Sequence, residues 1–418
     1  MSKKQPLFYG WYIVAGAFLI LAINYGVRYS FGIFLKPMSD EYEWSRSVIS
    51  LGASFNLLAY SFFTIFIGQM VDRIRPSHII TMGTVTVSLG LVVVSFASDL
   101  LVFYLVYGLF CGLGTAGLGI VVCNSSVVKW FQQKRGMAIG IASMGISVGT
   151  MTLTPLAGYI AKTYGWRHGF LTLAVLTFVV GILVSRLLLR KTGQNICAEP
   201  AEQETGKEDK SPNPLFLFSC FQGFAGFPFR DKQFWTISLS FGFVYLAIVS
   251  VLIHQVPCAI DYGISPITAA SSLAALSCAA FCGQFFFGWL TDHVRGAKCA
   301  VIIGFLVMAL GMIILLNMQS VAVLYVYSLV FGFGYGCFAP LASIFLAERF
   351  GENRLGSVYG MFTFIVGIGG SIGPFWAGYM FDLFQSYHQV WILNIVILLC
   401  ATVAIILLQG HKSALKKA

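Results

Sequence analysis

The sequence predicts an all-α polytopic membrane protein, with twelve transmembrane helices in two pseudo-symmetric six-helix bundles. Three observations carry that expectation. Of the 418 residues, 58% are hydrophobic and only 10% are charged, whereas soluble domains carry about 25% charged residues. The apolar residues fall into twelve runs, and a bilayer crossing needs about 20 such residues. The second half of the chain also repeats the first at a fixed offset of 220 residues.

The composition excludes a water-soluble protein, and a mean hydropathy of +0.83 agrees. The first apolar run is not a cleavable signal peptide: it is too long, it lacks a small-x-small cut site, and many similar runs follow it. Between the runs, the positions of the charges matter more than their sum. A net charge of +10 would suit nucleic acid, but 21 of the 26 Lys and Arg residues lie on one set of alternate loops, with both tails and the long central loop. The opposite loops hold four, Lys36, Arg46, Lys162 and Arg167. Such a bias orients a multi-pass protein with both termini in the cytoplasm, here across an inner (plasma) membrane, so no nucleic-acid partner is expected. The bundles are assigned to residues 1–189 and 234–418. Residues 190–233, with "CAEPAEQETGKEDKSPNP", read as a polar cytoplasmic linker too poor in large apolar residues to fold alone.

The ten cysteines are scattered and form no metal-ligand spacing with His. They read as small apolar packing residues, and no metal or cofactor is expected. The spans show no HExxH, no Asp pair and no Ser/His dyad, so an enzyme ranks well below a transporter. A sensor would need a signalling domain that the linker is too short and polar to supply.

The repeat rests on an ordered set of matches. Gly68 and Asp72 fall on Gly288 and Asp292; Gly112 and Gly114 on Gly332 and Gly334; Gly136, Gly140 and Gly149 on Gly356, Gly360 and Gly369. Tyr25, Ser30 and Pro37 fall on Tyr245, Ser250 and Pro257. Two halves related by a parallel repeat are an architecture of secondary transporters that bind substrate near the midplane. Residues kept in both halves are expected to serve the scaffold. Those that break the symmetry are the better functional candidates: Arg28 falls on Ile248, His254 on Phe34 and Gln284 on Thr64.

Arg28 is the one charged residue between Gln5 and Leu35. A guanidinium inside a span is a functional candidate by default, and its planar fork suits a carboxylate. The competing reading is a long side chain that snorkels to the outer interface. Tyr25 and Tyr29 flank it, and only one is expected to share its helix face. No Asp or Glu lies deep in any span, so His254 is the candidate proton carrier. The competing readings are a satisfied structural imidazole, or a proton carried by the substrate carboxylate. Asn124, Gln284, Asn24 and Asn394 can hydrogen-bond a small polar substrate or simply join helices. "GLGTAGLG" contains a GxGxxG pattern, but a dinucleotide site needs a preceding strand. Within a span it reads as small-residue helix packing.

"GQMVDRIRP" and "GWLTDHVRG" resemble the major facilitator signature Gly-x-x-x-Asp-Arg-x-Gly-Arg, and they recur at the repeat offset. The resemblance implies a gating role for Gly68, Asp72, Arg73, Gly288, Asp292 and Arg295. The second copy departs from the pattern, with His293 where Arg is usual. "FYGWYIVAGAFLI", "RYSFGIFLKPM", "KRGMAIGIASMG" and "HQVPCAIDYGIS" resemble the bacterial monocarboxylate transporter and oxalate:formate antiporter branch. The expected substrate-binding set is Arg28, His254, Gln284, Asn124, Tyr25 and Tyr29, and the likeness itself bears on Arg28 and Gln284. It also implies a small organic anion as cargo, moved with protons or against a counter-anion by a protein working as a monomer in the lipid bilayer. One departure stands out. Gln284 and Ala280 occupy the places where the family often carries an Arg and its acidic partner in the eighth span, and the eleventh span has no Lys. Arg28 is then the candidate replacement anchor. Export of a neutral or amphipathic compound is the alternative.

Overall fold

The computed structural model describes residues 9–44, 46–131, 134–189, 231–264, 266–294, 296–351, 355–384 and 386–408. The linker expected between the halves lies mostly outside the described residues. Twelve helical segments are long and apolar enough to cross a membrane. In the first half they are Gly10–Phe34, Leu51–Arg73, Pro76–Phe96, Leu100–Val128, Arg135–Ala161 and Trp166–Arg186. In the second half they are Lys232–Gln255, Ser271–His293, Ala297–Leu316, Val321–Phe350, Leu355–Gly373 and His388–Leu407. No strand occurs among the described residues. Hydrocarbon offers backbone N–H and C=O groups no partner, and a helix satisfies them within its own segment. Hydroxyls inside the spans turn back onto their own helix: Thr84 donates to the Ile80 carbonyl at 2.7 Å, Thr177 to Leu173 at 2.7 Å and Ser328 to Leu324 at 2.8 Å.

The repeat seen in the sequence is a repeat of helix contacts. Between lipid-facing helices there is little hydrophobic drive, so close packing at small residues takes its place. A methyl group on Gly149 of the fifth span would strike the Ala22 carbonyl of the first. Its repeat partner Gly369, on the eleventh span, meets Gly242 of the seventh in the same way. Apolar side chains such as Leu89, Val179, Leu310 and Ile406 remain exposed on the outer faces, as a lipid-facing surface requires. Inside the first half, Phe31 stacks on Tyr107 at 4.6 Å between ring centres, and Phe34 meets Phe170 at 4.3 Å. Inside the second, Phe241 touches Phe305, Phe338 and Phe362, each at 5.3 Å.

Two spans are interrupted. The fourth contains a π-helical turn at Tyr104–Phe110. It breaks at Leu118 and Gly119, where Gly119 is extended (φ −78°, ψ 175°) and Ile120 opens the next helix. The tenth tightens at Gly336 and Cys337, which stay right-handed helical (φ −56°, ψ −21° and φ −68°, ψ −29°) while the Cys337 N–H turns to the Gly334 carbonyl, before the helix resumes at Phe338. The breaks fall at nearly corresponding places of the two halves. "GLGTAGLG" therefore serves two ends: Gly112 and Gly114 pack against the second and third spans, and the last glycine adjoins the break.

Beyond the first span, its helix continues to Tyr42. There the Glu41 carboxylate accepts from the Trp166 indole N–H at 2.6 Å and from Arg167 at 2.7 Å. These donors, Trp166 foremost, hold the Glu41 carboxyl below its ordinary value of 4.5. Arg167 also donates to the Tyr42 hydroxyl at 2.6 Å, so the first helix is tied to the start of the sixth.

Candidate functional site

Between the halves lies a cavity of about 70 Å³, on the order of five water-sized volumes. Its lining comes from the first, second, fourth, fifth, seventh, eighth, tenth and eleventh spans. Among the described residues, the third, sixth, ninth and twelfth spans contribute nothing to it.

Arg28 lines this cavity, so it faces the space between the bundles and does not snorkel outward. Its guanidinium carbon sits 4.4 Å from the centre of the Tyr60 ring, a cation–π distance. Its Nη2 is buried without a hydrogen-bond partner among the described residues. Among the described residues no carboxylate lines the cavity. Among the described residues the half-buried guanidinium thus has one donor unpaired and no counter-charge in the cavity, and an unpaired buried ion costs several kcal/mol.

Tyr25 and Tyr29 both line the cavity with Arg28, and their ring centres are 5.9 Å apart. The expectation that only one would share the face is corrected. Residues 25, 28 and 29 stand at i, i+3 and i+4, which is one helix face. Four more tyrosines join them: Tyr60, Tyr245, Tyr335 and Tyr359. Sequence reading passed over three of these and set Tyr245 aside as scaffold because it repeats Tyr25. In the folded protein both members of that pair face the cavity.

Gln284 lies in the lining, and its Oε1 accepts from the Ser147 hydroxyl of the opposite half at 3.2 Å. Asn124 does not line the cavity. It is fully buried, and its Nδ2 donates to the Ser343 hydroxyl at 3.1 Å, joining the fourth and tenth spans. The helix-joining reading thus fits its contact. Asn24 donates to the Thr115 carbonyl at 3.4 Å, and Asn394 to Ser250 at 2.9 Å, each within its own half. His254 is also absent from the lining. Its Nδ1 lies 3.2 Å from the Tyr387 hydroxyl, with ring centres 5.4 Å apart. The expected placement of His254 and Asn124 in the cavity is therefore corrected: both sit on cavity-lining spans, but on faces turned toward neighbouring helices.

At the end of the bundle that carries Arg73, Arg75, Lys129, Lys134, Lys298 and Arg349, the halves are latched. Asp72 accepts from the backbone N–H groups of Gly356 at 3.1 Å and Ser357 at 2.8 Å, and from the Ser357 hydroxyl at 2.7 Å. Asp292 accepts from the N–H groups of Gly136 at 2.8 Å and Met137 at 2.9 Å. Both carboxylates thus cap the exposed N–H groups at the N-terminus of a helix in the other half. Gly68 and Gly288 let the crossing helices touch: a methyl group on either would strike the carbonyl of Gly356 or Gly136. Arg73 is exposed at the end of its helix, and Arg295 lies outside the described residues.

The family model of the Major Facilitator Superfamily matches residues 17–257 and 247–418. Monocarboxylate transporter 13 of Rattus norvegicus is 24% identical over 411 residues, covering 97% of this chain and 90% of that protein. An uncharacterized transporter of the same superfamily, YcxA of Bacillus subtilis, is 25% identical, with 90% of each chain covered. Human monocarboxylate transporter 2 is 25% identical over 94% of this chain and 84% of its own length. Among solved structures, the proton:xylose symporter XylE aligns with a TM-score of 0.72 at 14% identity, covering 94% of each chain. FucP in its outward conformation aligns with a TM-score of 0.70 at 14% identity, over 94% of this chain and 98% of that one.

Proposed function

The chain belongs to the Major Facilitator Superfamily, as a multi-pass secondary transporter and not an enzyme, and we propose that its cargo is a small monocarboxylate anion held at Arg28. The observation that carries this reading is the guanidinium in a cavity between the halves, with its Nη2 buried and unpartnered and no carboxylate in the lining among the described residues. A single cation matches a single carboxylate, and the planar fork can bind it through two charge-assisted hydrogen bonds. Gln284 adds a neutral amide for a further oxygen. The names of the monocarboxylate transporters among the relatives support the same class of cargo.

Transport then follows from the two latches. The basic residues at the latched end favour a cytoplasmic position, in an inner or plasma membrane, so the cavity in this state serves the outer side. Cargo bound between the halves favours rocking, in which the Asp72 and Asp292 contacts separate and the cavity opens to the cytoplasm. With no Asp, Glu or His in the lining among the described residues, we assign coupling to the cargo, as a proton carried with it or an anion exchanged for it. His254 has no direct part in this scheme.

Uptake of labelled pyruvate and lactate into proteoliposomes, with and without a pH gradient, tests the proposal. Saturable uptake lost in Arg28→Ala is the expected result, and uptake unchanged in that variant would end the assignment. The many apolar lining residues favour one second reading, export of a neutral amphipathic compound. Altered drug susceptibility on deletion, without any anion uptake, would point to it.

A further inference from the structure

We infer that the cargo's carboxylate is held by a second set of donors besides Arg28, the open N-terminus of the helix Ile120–Val128 together with the Tyr60 hydroxyl; this inference rests on the anion reading above. Gly119 is extended before the nine residues of that helix begin. The first backbone bond of the helix runs from the Cys123 N–H to the Gly119 carbonyl at 3.2 Å. The N–H groups of Ile120, Val121 and Val122 precede it and meet no acceptor among the described residues, and no side chain of Gly119 is there to cap them. All three residues are buried. Buried backbone N–H groups are nearly always paired. A helix start presents them, with the positive end of its dipole, to an anion.

Tyr60 ties this opening to Arg28. It is 4% exposed, and its hydroxyl is buried and meets no partner in hydrogen-bond geometry among the described residues. That hydroxyl is aimed at the opening: a methyl group on Gly119 would lie 3.0 Å from it, and the Ile120 N–H and the Tyr25 hydroxyl face it. The guanidinium carbon of Arg28 stands 4.4 Å from the centre of the same ring. Arg28, Tyr60 and Ile120 all line the cavity. Donors on the face and at the tip of one phenol ring are close enough for a single carboxylate, which accepts each charge-assisted bond at about 2.7–2.9 Å. The carboxylate alone reaches both, so an acid of two or three carbons suits a cavity of about 70 Å³. The repeat adds an asymmetry. At the offset of 220, Ile120 falls on Pro340, which has no N–H to give. The donor at this register belongs to the half that carries Arg28.

The test removes one backbone donor. Ile120 is the first residue of its helix, where Pro is well tolerated, and the extended Gly119 suits the residue before a proline. Ile120→Pro therefore deletes the N–H with little change of backbone. Ile120→Val is its comparison, a trimmed side chain that keeps the N–H. Competition by unlabelled pyruvate in counterflow should be roughly tenfold to a hundredfold weaker in Ile120→Pro than in Ile120→Val, the worth of one bond to a charged acceptor. Tyr60→Phe keeps the ring beside Arg28 and should bind pyruvate about tenfold more weakly than the unmodified protein. Equal affinity in the Pro and Val variants, or a Tyr60→Phe variant as tight as the unmodified protein, overturns the helix site. If Ile120→Pro does not fold, hydrogen exchange of the unmodified protein decides: pyruvate should slow exchange across residues 120–122, and an unaltered rate overturns the proposal. In each of these cases uptake that is lost in Arg28→Gln leaves the anion reading standing. No saturable pyruvate uptake by the unmodified protein, or uptake untouched by Arg28→Gln, overturns the anion reading itself.

Discussion

The Asp72 carboxylate crosses from one half of the protein to the other and accepts from the Gly356 amide at 3.1 Å. Its repeat partner Asp292 makes the equivalent contact to Gly136 at 2.8 Å. The two latches differ in one respect: Ser357 adds its hydroxyl to Asp72 at 2.7 Å, and Met137, which holds the matching place, has none to give.

Unequal latches predict unequal variants. Asp72→Ala removes three hydrogen bonds and Asp292→Ala two. Each bond to a charged acceptor is worth about 1.5–3 kcal/mol. Labelling of a single cysteine introduced between the halves at this end should therefore speed up more in Asp72→Ala than in Asp292→Ala, and Ser357→Ala should weaken the first latch alone. Equal rates in the two Asp variants would contradict the assignment.

A methyl group at either crossing glycine should hold the halves apart. Gly68→Ala and Gly288→Ala are expected to lower the transport rate while the protein still inserts and purifies, since each glycine meets the opposite half at Gly356 or Gly136. Cysteine labelling at the latched end should rise in both, in step with the loss of transport.

Arginine and lysine are not equivalent at position 28. Lys keeps the charge but loses the fork and the flat face against Tyr60. Loss of one charge-assisted hydrogen bond predicts an apparent anion affinity weakened roughly tenfold to a hundredfold. A salt-dependent anion response surviving in Arg28→Lys and absent in Arg28→Gln, followed by counterflow, is the check.

Acid should loosen the far end of the first half in a way that depends on Glu41. Its carboxyl is lowered by the Trp166 and Arg167 donors, so the stabilisation is fully present above the unfolded-state value. It is lost as the pH falls through the lower folded value, in a window below pH 4.5. The pair is exposed, 39% and 40% for Arg167 and Glu41, so the effect is at most about 1 kcal/mol. Thermal unfolding at pH 7 and pH 3 should show a smaller acid-induced drop for Glu41→Gln than for the unmodified protein.

Spans, repeat and latch were legible because each leaves a local mark: an apolar run, a fixed offset, a Gly-x-x-x-Asp spacing. Arg28 was legible because one charge in an apolar run is conspicuous. Tyr60, Tyr335 and Tyr359 were not, since a tyrosine in such a run belongs equally well to lipid interface, helix seam or cavity, and only the packing of eight spans decides which. Symmetry misled at Tyr245. A binding space on the axis between two repeats is lined by equivalent residues of both, so repetition does not separate scaffold from site. His254 and Asn124 stand outside this cavity's lining for a related reason: being polar in a span marks a residue as unusual, but which neighbour it meets is set by helix rotation.

The interrupted fourth and tenth spans carry a mechanical consequence. The pieces beginning at Ile120 and Phe338 start at the cavity wall, each beyond a joint in an otherwise continuous rod. Any turn taken at such a joint would leave the lengths before it at their depth in the membrane. Fitting the pocket then need not stretch or thin the surrounding lipid, a distortion that costs fractions of a kcal/mol for each ångström of mismatch.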